Sequence, residues 1–223
     1  MRTALLLGAS GLVGRHTLAR LAHDGRWDRV VTLGRRPLAT ASPTHADHVV
    51  DFDRLSEQAD LFACDDLFCA LGTTIQQAGS QEAFRRVDLE IPFEAAQLAH
   101  AAGAGQVLLV SALGADPDSR IFYNRTKGEA ERVMGEVGFD AVQLFRPSLL
   151  TGDRDETRPG ERIGELVLSL ARPLLRGPLR PLRPTPATAL AAALVETAAR
   201  RPTGVHVYGP QEIKWEAATA QPS

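Results

Sequence analysis

The chain has 223 residues, a formal net charge of −2 at pH 7, 44% hydrophobic residues and 23% charged residues. This length suits one α/β domain, and the hydrophobic fraction is ample for a core. The near-neutral charge gives no general reason to expect binding to nucleic acid or to an anionic membrane surface. Two cysteines are too few for a disulfide framework, and no stretch approaches the ~20 apolar residues of a transmembrane helix. We therefore expect a soluble cytoplasmic protein with neither a signal peptide nor an inserted membrane segment.

The N-terminal stretch combines a short apolar run, three glycines and the start of a helical pattern. Ala4 to Leu7 has the length and branching of a buried parallel strand, and the helical pattern reaches His23. Glycines spaced G-x-x-G-x-x-G permit a tight turn and close approach to a pyrophosphate, and the helix N-terminus supplies N–H groups and partial positive charge. A strand-to-helix turn without a ligand is the alternative. We predict a nucleotide cradle made by Gly8, Ser10, Gly11, Leu12, Val13 and Gly14.

The end of the second predicted strand, Arg29 to Leu33, bears on cofactor choice. A NAD-selective site normally places Asp or Glu there to accept from the ribose hydroxyls, whereas this chain has Gly34, Arg35 and Arg36. A guanidinium donates several hydrogen bonds in a fork that suits a phosphate dianion. The two arginines therefore favour the 2′-phosphate of NADP(H), with a solvated basic turn as the alternative.

Two further strand ends offer cofactor contacts. His48 to Phe52 is the predicted third strand, with Asp51 placed to bind an adenine amino group. Asp65 to Leu71 is the fourth strand. Gly72 would let the backbone lie against the cofactor, and Thr73 would bind a phosphate or ribose.

The remaining pattern continues the alternation of helices and strands. Helical spacing runs from Phe84 to Ala102, with Pro92 predicted to kink or restart the helix. The later predicted elements are strands at 106–110, 141–145 and 205–208 and helices at 121–137 and 188–200. This alternation predicts a Rossmann-type, doubly wound parallel α/β sheet in a single domain.

Past residue 150 the composition changes. We predict a cofactor-binding core at 1–150, a small substrate-side region at 151–210 and a tail at 211–223. The substrate-side region is expected to contain a short helix at 163–170 and an irregular Pro/Arg-rich stretch at 172–186. We predict that the charged residues of 153–158 pair with one another or close over the pocket as a lid. We predict that the arginines at 172, 176, 180 and 183 form a solvated loop or a partner contact rather than a nucleic-acid site, because no aromatic residues interleave with them.

Cys69, His45 and His48 are interpreted as structural residues rather than as reactive or metal-binding ones. Cys69 lies inside an apolar run and is predicted to be a core thiol. His45 and His48 have a ligand-like gap but no second acidic or cysteine pair, so we interpret them as loop histidines and predict no metal site.

Ser111, Tyr123 and Lys127 form the candidate catalytic set. Tyr123 and Lys127 are four residues apart in a predicted helix and share one face, and Ser111 follows the fifth strand. An ammonium beside a phenol favours the phenolate and lowers its pKa from ~10 towards neutral pH. Lys127 can also hold the nicotinamide ribose, and Ser111 can hydrogen-bond a carbonyl or alcohol oxygen. A surface lysine and a tyrosine packed on the sheet edge are the alternative.

These motifs resemble the short-chain dehydrogenase/reductase family, in its atypical branch. The general resemblance is carried by the glycine turn, Ser111 and the Y-x-x-x-K motif of Tyr123 to Lys127. A closer resemblance, to the Tat-interacting-protein group of NADPH-binding proteins, covers roughly the first 165 residues and is carried by residues 8–14, 34–36, 50–52, 69–74, 86–88, 127–129, 145–147 and 153–161. The resemblance implies NADP(H), Tyr123 as proton donor, and cofactor contacts from Phe52, Leu71, Tyr123 and Pro147.

Two main hypotheses follow. The first is an NADP(H)-dependent oxidoreductase that transfers hydride between the nicotinamide and a small carbonyl or alcohol substrate. The second is an NADPH-binding regulator with little catalysis that acts through a protein partner, since members of the closer group are often described in this way. Isomerase or epimerase chemistry on a nucleotide sugar is a third possibility, although the short C-terminal region leaves little room for that substrate. A homodimer is compatible with each hypothesis.

Overall fold

The fold is seen in a computed structural model that describes residues 1–39, 42–152 and 183–219, without the side chain of Thr219. Seven parallel strands form one sheet in the order β3-β2-β1-β4-β5-β6-β9. These strands are β1 (Thr3–Leu7), β2 (Arg29–Gly34), β3 (His45–Val49), β4 (Asp66–Cys69), β5 (Gln106–Val110), β6 (Ala141–Phe145) and β9 (Gly204–Tyr208). A separate parallel pair joins β7 (Leu150–Thr151) to β8 (Thr185–Pro186). The predicted Rossmann-type sheet is confirmed.

Helices connect the strands. They are α1 (Leu12–Leu21), α2 (Ile75–Ala78), α3 (Gln81–Arg85), α4 (Ile91–Ala101), α5 (Phe122–Glu136), α6 (Ala187–Arg200) and α7 (Pro210–Thr219), with a 3-10 segment at Leu55–Phe62 and a π-helical turn at Arg86–Glu90. The strand order changes direction between β1 and β4, and such a switch point is where open α/β sheets bind ligands.

Each face of the sheet is covered by its own set of helices. Alternating residues of β1 show the division, because Leu5 and Leu7 belong to one core cluster while Ala4 and Leu6 belong to the other. The first cluster includes residues of α4 and α5, and the second includes residues of α1 and α6. The loops at the carboxyl ends of the strands therefore extend from a sheet that is packed on both faces.

The third strand lies earlier than predicted. It spans His45–Val49, and its ladder with β2 pairs Gly34 with Val49. Val50 and Phe52 produced the apolar pattern at 48–52, but both are buried in the core after the strand has ended. Asp51 therefore lies in a turn, and His45 and His48 lie on a strand rather than in a loop.

Pro92, which was predicted to kink or restart the helix, lies at an irregular turn in a helix that continues through it. Helix α3 continues through the π-helical turn into α4, where Pro92 is the second residue. Pro92 has no N–H to donate to the carbonyl of Asp88, four residues earlier, so regular α-helical bonding fails at this point. In the π turn the N–H of Ile91 instead donates to the carbonyl of Arg86.

The C-terminal tail is more ordered than its sequence indicates. Helix α7 covers much of the predicted tail, with Ile213 fully buried in the second core cluster and Trp215 exposed. Three earlier predictions lie wholly or partly outside the described residues. They are the short helix at 163–170, the charged segment at 153–158 and the group of four arginines, of which 172, 176 and 180 are not described.

Candidate functional site

The glycine turn joins β1 to α1 with little space for side chains. Gly8 has a φ of +84°, and a Cβ there would lie 2.5 Å from the carbonyl oxygen of Ala70, which directly follows β4. A Cβ on Gly14 would lie 2.0 Å from the carbonyl oxygen of Gly8. The turn is closed by the N–H of Gly11, which donates to the same oxygen at 2.9 Å. Glycine is thus required at positions 8 and 14.

The first turn of α1 has no side-chain cap. Gly11 occupies the N-cap position, no side chain accepts a hydrogen bond from the first amides, and the turn has no acidic residue. Ser10 and Gly11 are exposed, whereas Val13 is buried and Leu12 is half-buried. Amides at such a helix start favour an anion. The predicted cradle residues therefore lie together in a turn that suits a pyrophosphate.

The basic turn after β2 is tied to β3. Asp47 accepts from the N–H of Leu38 at 2.8 Å and from the hydroxyl of Thr32 at 2.5 Å. Arg35 and Arg36 are exposed between these anchors, and within the described ranges no hydrogen bond or ion pair joins either guanidinium to another group. Asp47 thus holds the turn while both arginines face solvent; sequence reasoning missed this residue.

Asp51 and Phe52 occupy a turn after β3. The carboxylate of Asp51 accepts from the N–H of Asp53 at 3.0 Å, and the carbonyl of Phe52 accepts from the guanidinium of Arg86 at 2.6 Å. The Phe52 side chain belongs to the hydrophobic core, so this residue offers a ligand chiefly its backbone. The adenine contact predicted for Asp51 stays a prediction.

The loop after β4 meets the candidate catalytic lysine through Asp88. The N–H of Thr73 donates to Oδ2 of Asp88 at 2.9 Å, and Oδ1 of Asp88 lies 2.7 Å from Nζ of Lys127. Gly72 is exposed and Leu71 is half-buried beside this contact. Predicted cofactor residues and a predicted catalytic residue are thus joined by a carboxylate that the sequence analysis did not select.

Ser111 and Pro147 follow neighbouring strands. The N–H of Ser111 donates to the carbonyl of Phe145 at 2.7 Å, and the N–H of Leu113 donates to the carbonyl of Pro147 at 2.9 Å. Ser111 is only 5% exposed, and its Oγ makes no hydrogen bond within the described part of the chain. A buried hydroxyl without a partner is uncommon, and a bound ligand would supply one.

Tyr123 and Lys127 lie one turn apart on α5, as the spacing predicts. The Tyr123 ring is half-buried and packs on Phe84 at a centroid distance of 5.5 Å. Lys127 is 5% exposed. Burial alone would lower the lysine pKa, but the charges of Asp88, Tyr123 and Glu131 overcome this effect, and the net direction of the pKa is upward. The ammonium is therefore the stable form of Lys127 at neutral pH.

A second ion pair supports the same helix. Arg146, which directly follows β6, binds the carboxylate of Glu131 at 2.5 Å and holds it one turn beyond Lys127. This pair fixes the start of the Pro147 loop against α5. Arg146 lies in the segment 145–147 that carries the family resemblance, but nothing in the sequence pairs it with Glu131.

Comparisons with known proteins identify the family and the fold. A model of the NAD dependent epimerase/dehydratase family matches residues 4–167. Protein HTATIP2 of Rattus norvegicus is 38% identical over 164 residues, which are 72% of this chain and 67% of that protein. The protein named fmp52, mitochondrial, of Emericella nidulans is 36% identical over 170 residues, 73% of each chain. The resemblance to the Tat-interacting-protein group is thereby confirmed.

Solved structures share the fold at low identity. The Bordetella bronchiseptica enzyme WbmH in complex with NAD+ superposes with a TM-score of 0.70 at 15% identity and covers 100% of this chain and 83% of that one. MoeE5 in complex with UDP-glucose and NAD has a TM-score of 0.69 at 21% identity, covering 97% and 81%. Within the described ranges, no helix is long and apolar enough to cross a membrane. The cytoplasmic location stays a prediction, because the Emericella nidulans relative is named as mitochondrial. This chain belongs to the NAD-dependent epimerase/dehydratase family, with the dinucleotide-binding fold of the short-chain dehydrogenases.

Proposed function

We propose that the protein is an NADP(H)-dependent oxidoreductase acting on a small carbonyl or alcohol substrate. The observation that carries this proposal is the buried ammonium of Lys127 one helical turn from Tyr123, together with the unpartnered buried hydroxyl of Ser111. A tyrosine hydroxyl can donate its proton to a substrate oxygen, and a buried serine hydroxyl can orient that oxygen.

The residues at the strand ends fit a dinucleotide. The tight turn at Gly8 and Gly14, where backbone atoms leave no room for a Cβ, and the uncapped start of α1 suit a pyrophosphate. Arg35 and Arg36 suit the 2′-phosphate, and Asp51, Phe52, Leu71, Gly72, Thr73 and Pro147 would complete the contacts. When bound, this cofactor supplies or accepts a hydride at the nicotinamide ring.

The protein side chains would manage the proton. During carbonyl reduction Tyr123 donates its proton to the oxygen that becomes the alcohol, while Ser111 holds that oxygen in place. Lys127 stabilises the phenolate left on Tyr123 and holds the ribose hydroxyls of the cofactor. Oxidation of an alcohol uses the same groups in the opposite direction.

Calorimetric titration with NADPH and NADH, followed by NADPH oxidation against a panel of aldehydes and ketones, tests the proposal. Tyr123→Phe should abolish turnover and leave NADPH affinity nearly unchanged, because the ring and its packing on Phe84 remain. Turnover that is unchanged in Tyr123→Phe would refute the catalytic assignment.

Cofactor selectivity has its own test. Arg35→Ala should weaken NADPH binding far more than NADH binding, because NADH lacks the 2′-phosphate. Equal losses for the two cofactors would show that the basic turn is only a solvated surface.

A regulatory function is the second candidate. The resemblance to the Tat-interacting-protein group favours it, because that resemblance implies an NADPH-binding protein that acts through a partner, and HTATIP2 is 38% identical to this chain. Tight NADPH binding without turnover on any carbonyl, and without isomerisation of UDP-sugars, would support a regulator. The family match and the UDP-glucose complex of MoeE5 make the isomerisation assay a necessary part of that experiment.

A further inference from the structure

Asp88 connects two parts of the site that the proposed function treats separately. Its side chain is fully buried on the π-helical turn, with one oxygen 2.7 Å from the ammonium of Lys127 and the other accepting from the N–H of Thr73 at 2.9 Å. A buried carboxylate is costly unless both oxygens have partners. Here Oδ1 has the ammonium of the proposed catalytic lysine as an ion-pair partner, without the geometry of a hydrogen bond, and Oδ2 has the N–H of the loop that would lie against the cofactor.

The backbone reason for this placement lies in the same turn. Pro92 interrupts α-helical bonding and the chain takes up one extra residue between α3 and α4. Arg86, on the same turn, binds the Phe52 carbonyl and pairs with Asp53, whereas Asp88 is buried against α5. π-Helical turns of this kind are frequent at functional sites.

The other charges around Lys127 are accounted for. Tyr123 and Glu131 face it from its own helix, and Glu131 is already bound by Arg146 from the end of β6. Asp88, on the packed neighbouring turn, is the carboxylate in direct contact with the ammonium. It is therefore the group best placed to compensate for the burial of the lysine.

We propose that Asp88 is a positioning residue: one oxygen fixes the ammonium of Lys127 and the other anchors the Thr73 backbone, so that lysine and cofactor loop are held by one side chain. The proposal rests on the proposed function only in taking Lys127 as the catalytic lysine. It implies that a shift of the loop on cofactor binding is transmitted to the lysine through a single carboxylate.

Lysine titration by NMR tests the first contact without cofactor or substrate. The chain has only two lysines, so lysine-selective labelling gives signals for Lys127 and Lys214, and Lys214→Arg assigns them. Asp88→Asn removes the charge and keeps the size of the side chain. We expect the pKa of Lys127 to fall by at least about one unit, a tenfold change in its acid constant, while that of Lys214 stays the same. An unchanged Lys127 pKa would overturn the proposal.

Amide hydrogen exchange tests the second contact. Asp88→Ala removes the acceptor, so the N–H of Thr73 should exchange at least about tenfold faster, while Asp88→Asn retains a carbonyl acceptor and should keep the protection. The amide of Leu108 in the central strand β5 is the control for folding. Equal Thr73 exchange rates in Asp88→Ala and the unchanged protein would overturn the anchoring of the loop.

The unchanged protein offers a measurement that needs no variant to fold. Lys127 should titrate above the ordinary pKa of lysine, because the carboxylate outweighs the burial, and a lower value would contradict the contact. These readouts are independent of turnover. A catalytically silent protein with the expected Lys127 titration would refute the oxidoreductase and leave the positioning role intact.

Discussion

Replacing Gly14 by alanine tests the packing of α1 on β1. The added Cβ would lie 2.0 Å from the carbonyl oxygen of Gly8 and 2.9 Å from Cα of Ala9. Ordinary contact begins at 3.4 Å, so the helix start and the strand end must separate by about 1.4 Å. Both neighbours are backbone atoms, which have no rotamer that relieves the contact.

The expected cost follows from this geometry. Overpacking of a core typically costs ~1–3 kcal/mol, and this contact belongs at the upper end of that range. Alanine regains ~0.5–1 kcal/mol of helix propensity, so the net loss should be about 2 kcal/mol. The displaced amides of α1 should weaken NADPH binding at least about tenfold, which corresponds to ~1.4 kcal/mol.

Urea denaturation and calorimetric titration measure the two effects. Gly135→Ala on α5 is the matched control, because its Cβ would meet nothing within 4 Å. That control should gain ~0.5–1 kcal/mol and leave NADPH binding unchanged. Full stability and affinity in Gly14→Ala would refute the close approach of helix and strand.

Three further predictions concern the scaffold. Asp66→Ala should lower the free energy of unfolding, measured by urea denaturation, by about 3–5 kcal/mol. The reason is that the buried carboxylate of Asp66 pairs with Arg2 and accepts a hydrogen bond from Trp27 at 2.7 Å. A loss below ~1 kcal/mol would contradict this. Ile213→Ala should cost about 2–5 kcal/mol, since Ile213 is fully buried, and wild-type stability would mean that α7 is dispensable. Burial raises the pKa of the Cys69 thiol to about 12, so a thiol reagent at pH 8 should label it only after unfolding; rapid labelling of the folded protein would refute this.

Much of the sheet could be predicted from local pattern. Strands at 106–110 and 141–145 have the predicted bounds because apolar runs buried on both faces leave no ambiguity of period. The third strand was misplaced because Phe52 is buried beyond the last hydrogen bond between β2 and β3, which the N–H of Val50 donates to the carbonyl of Gly34. An apolar pattern indicates which residues are buried. It does not mark the end of a strand, because burial here extends past the last hydrogen bond between the two strands.

The sequence allowed the residue types of the candidate site to be predicted, but not the contacts between side chains from different helices. The four-residue spacing of Tyr123 and Lys127 is a local property that a sequence displays directly. The contact of Lys127 with Asp88 joins residues from different helices and depends on an extra residue in a π turn. Such a contact has no sequence period, although Pro92 four residues after Asp88 marks the disturbance that produces it.

The burial of β1 has a consequence for the order in which the domain can assemble. The strand lies between β2 and β4, yet the cluster on one of its faces includes Ala187, Leu190 and Leu194 from α6, far later in the chain. A nascent chain that ends before α6 therefore carries an uncovered apolar surface on its central strands. Such a chain should depend on chaperones, and truncations before residue 187 should aggregate rather than yield a smaller cofactor-binding unit.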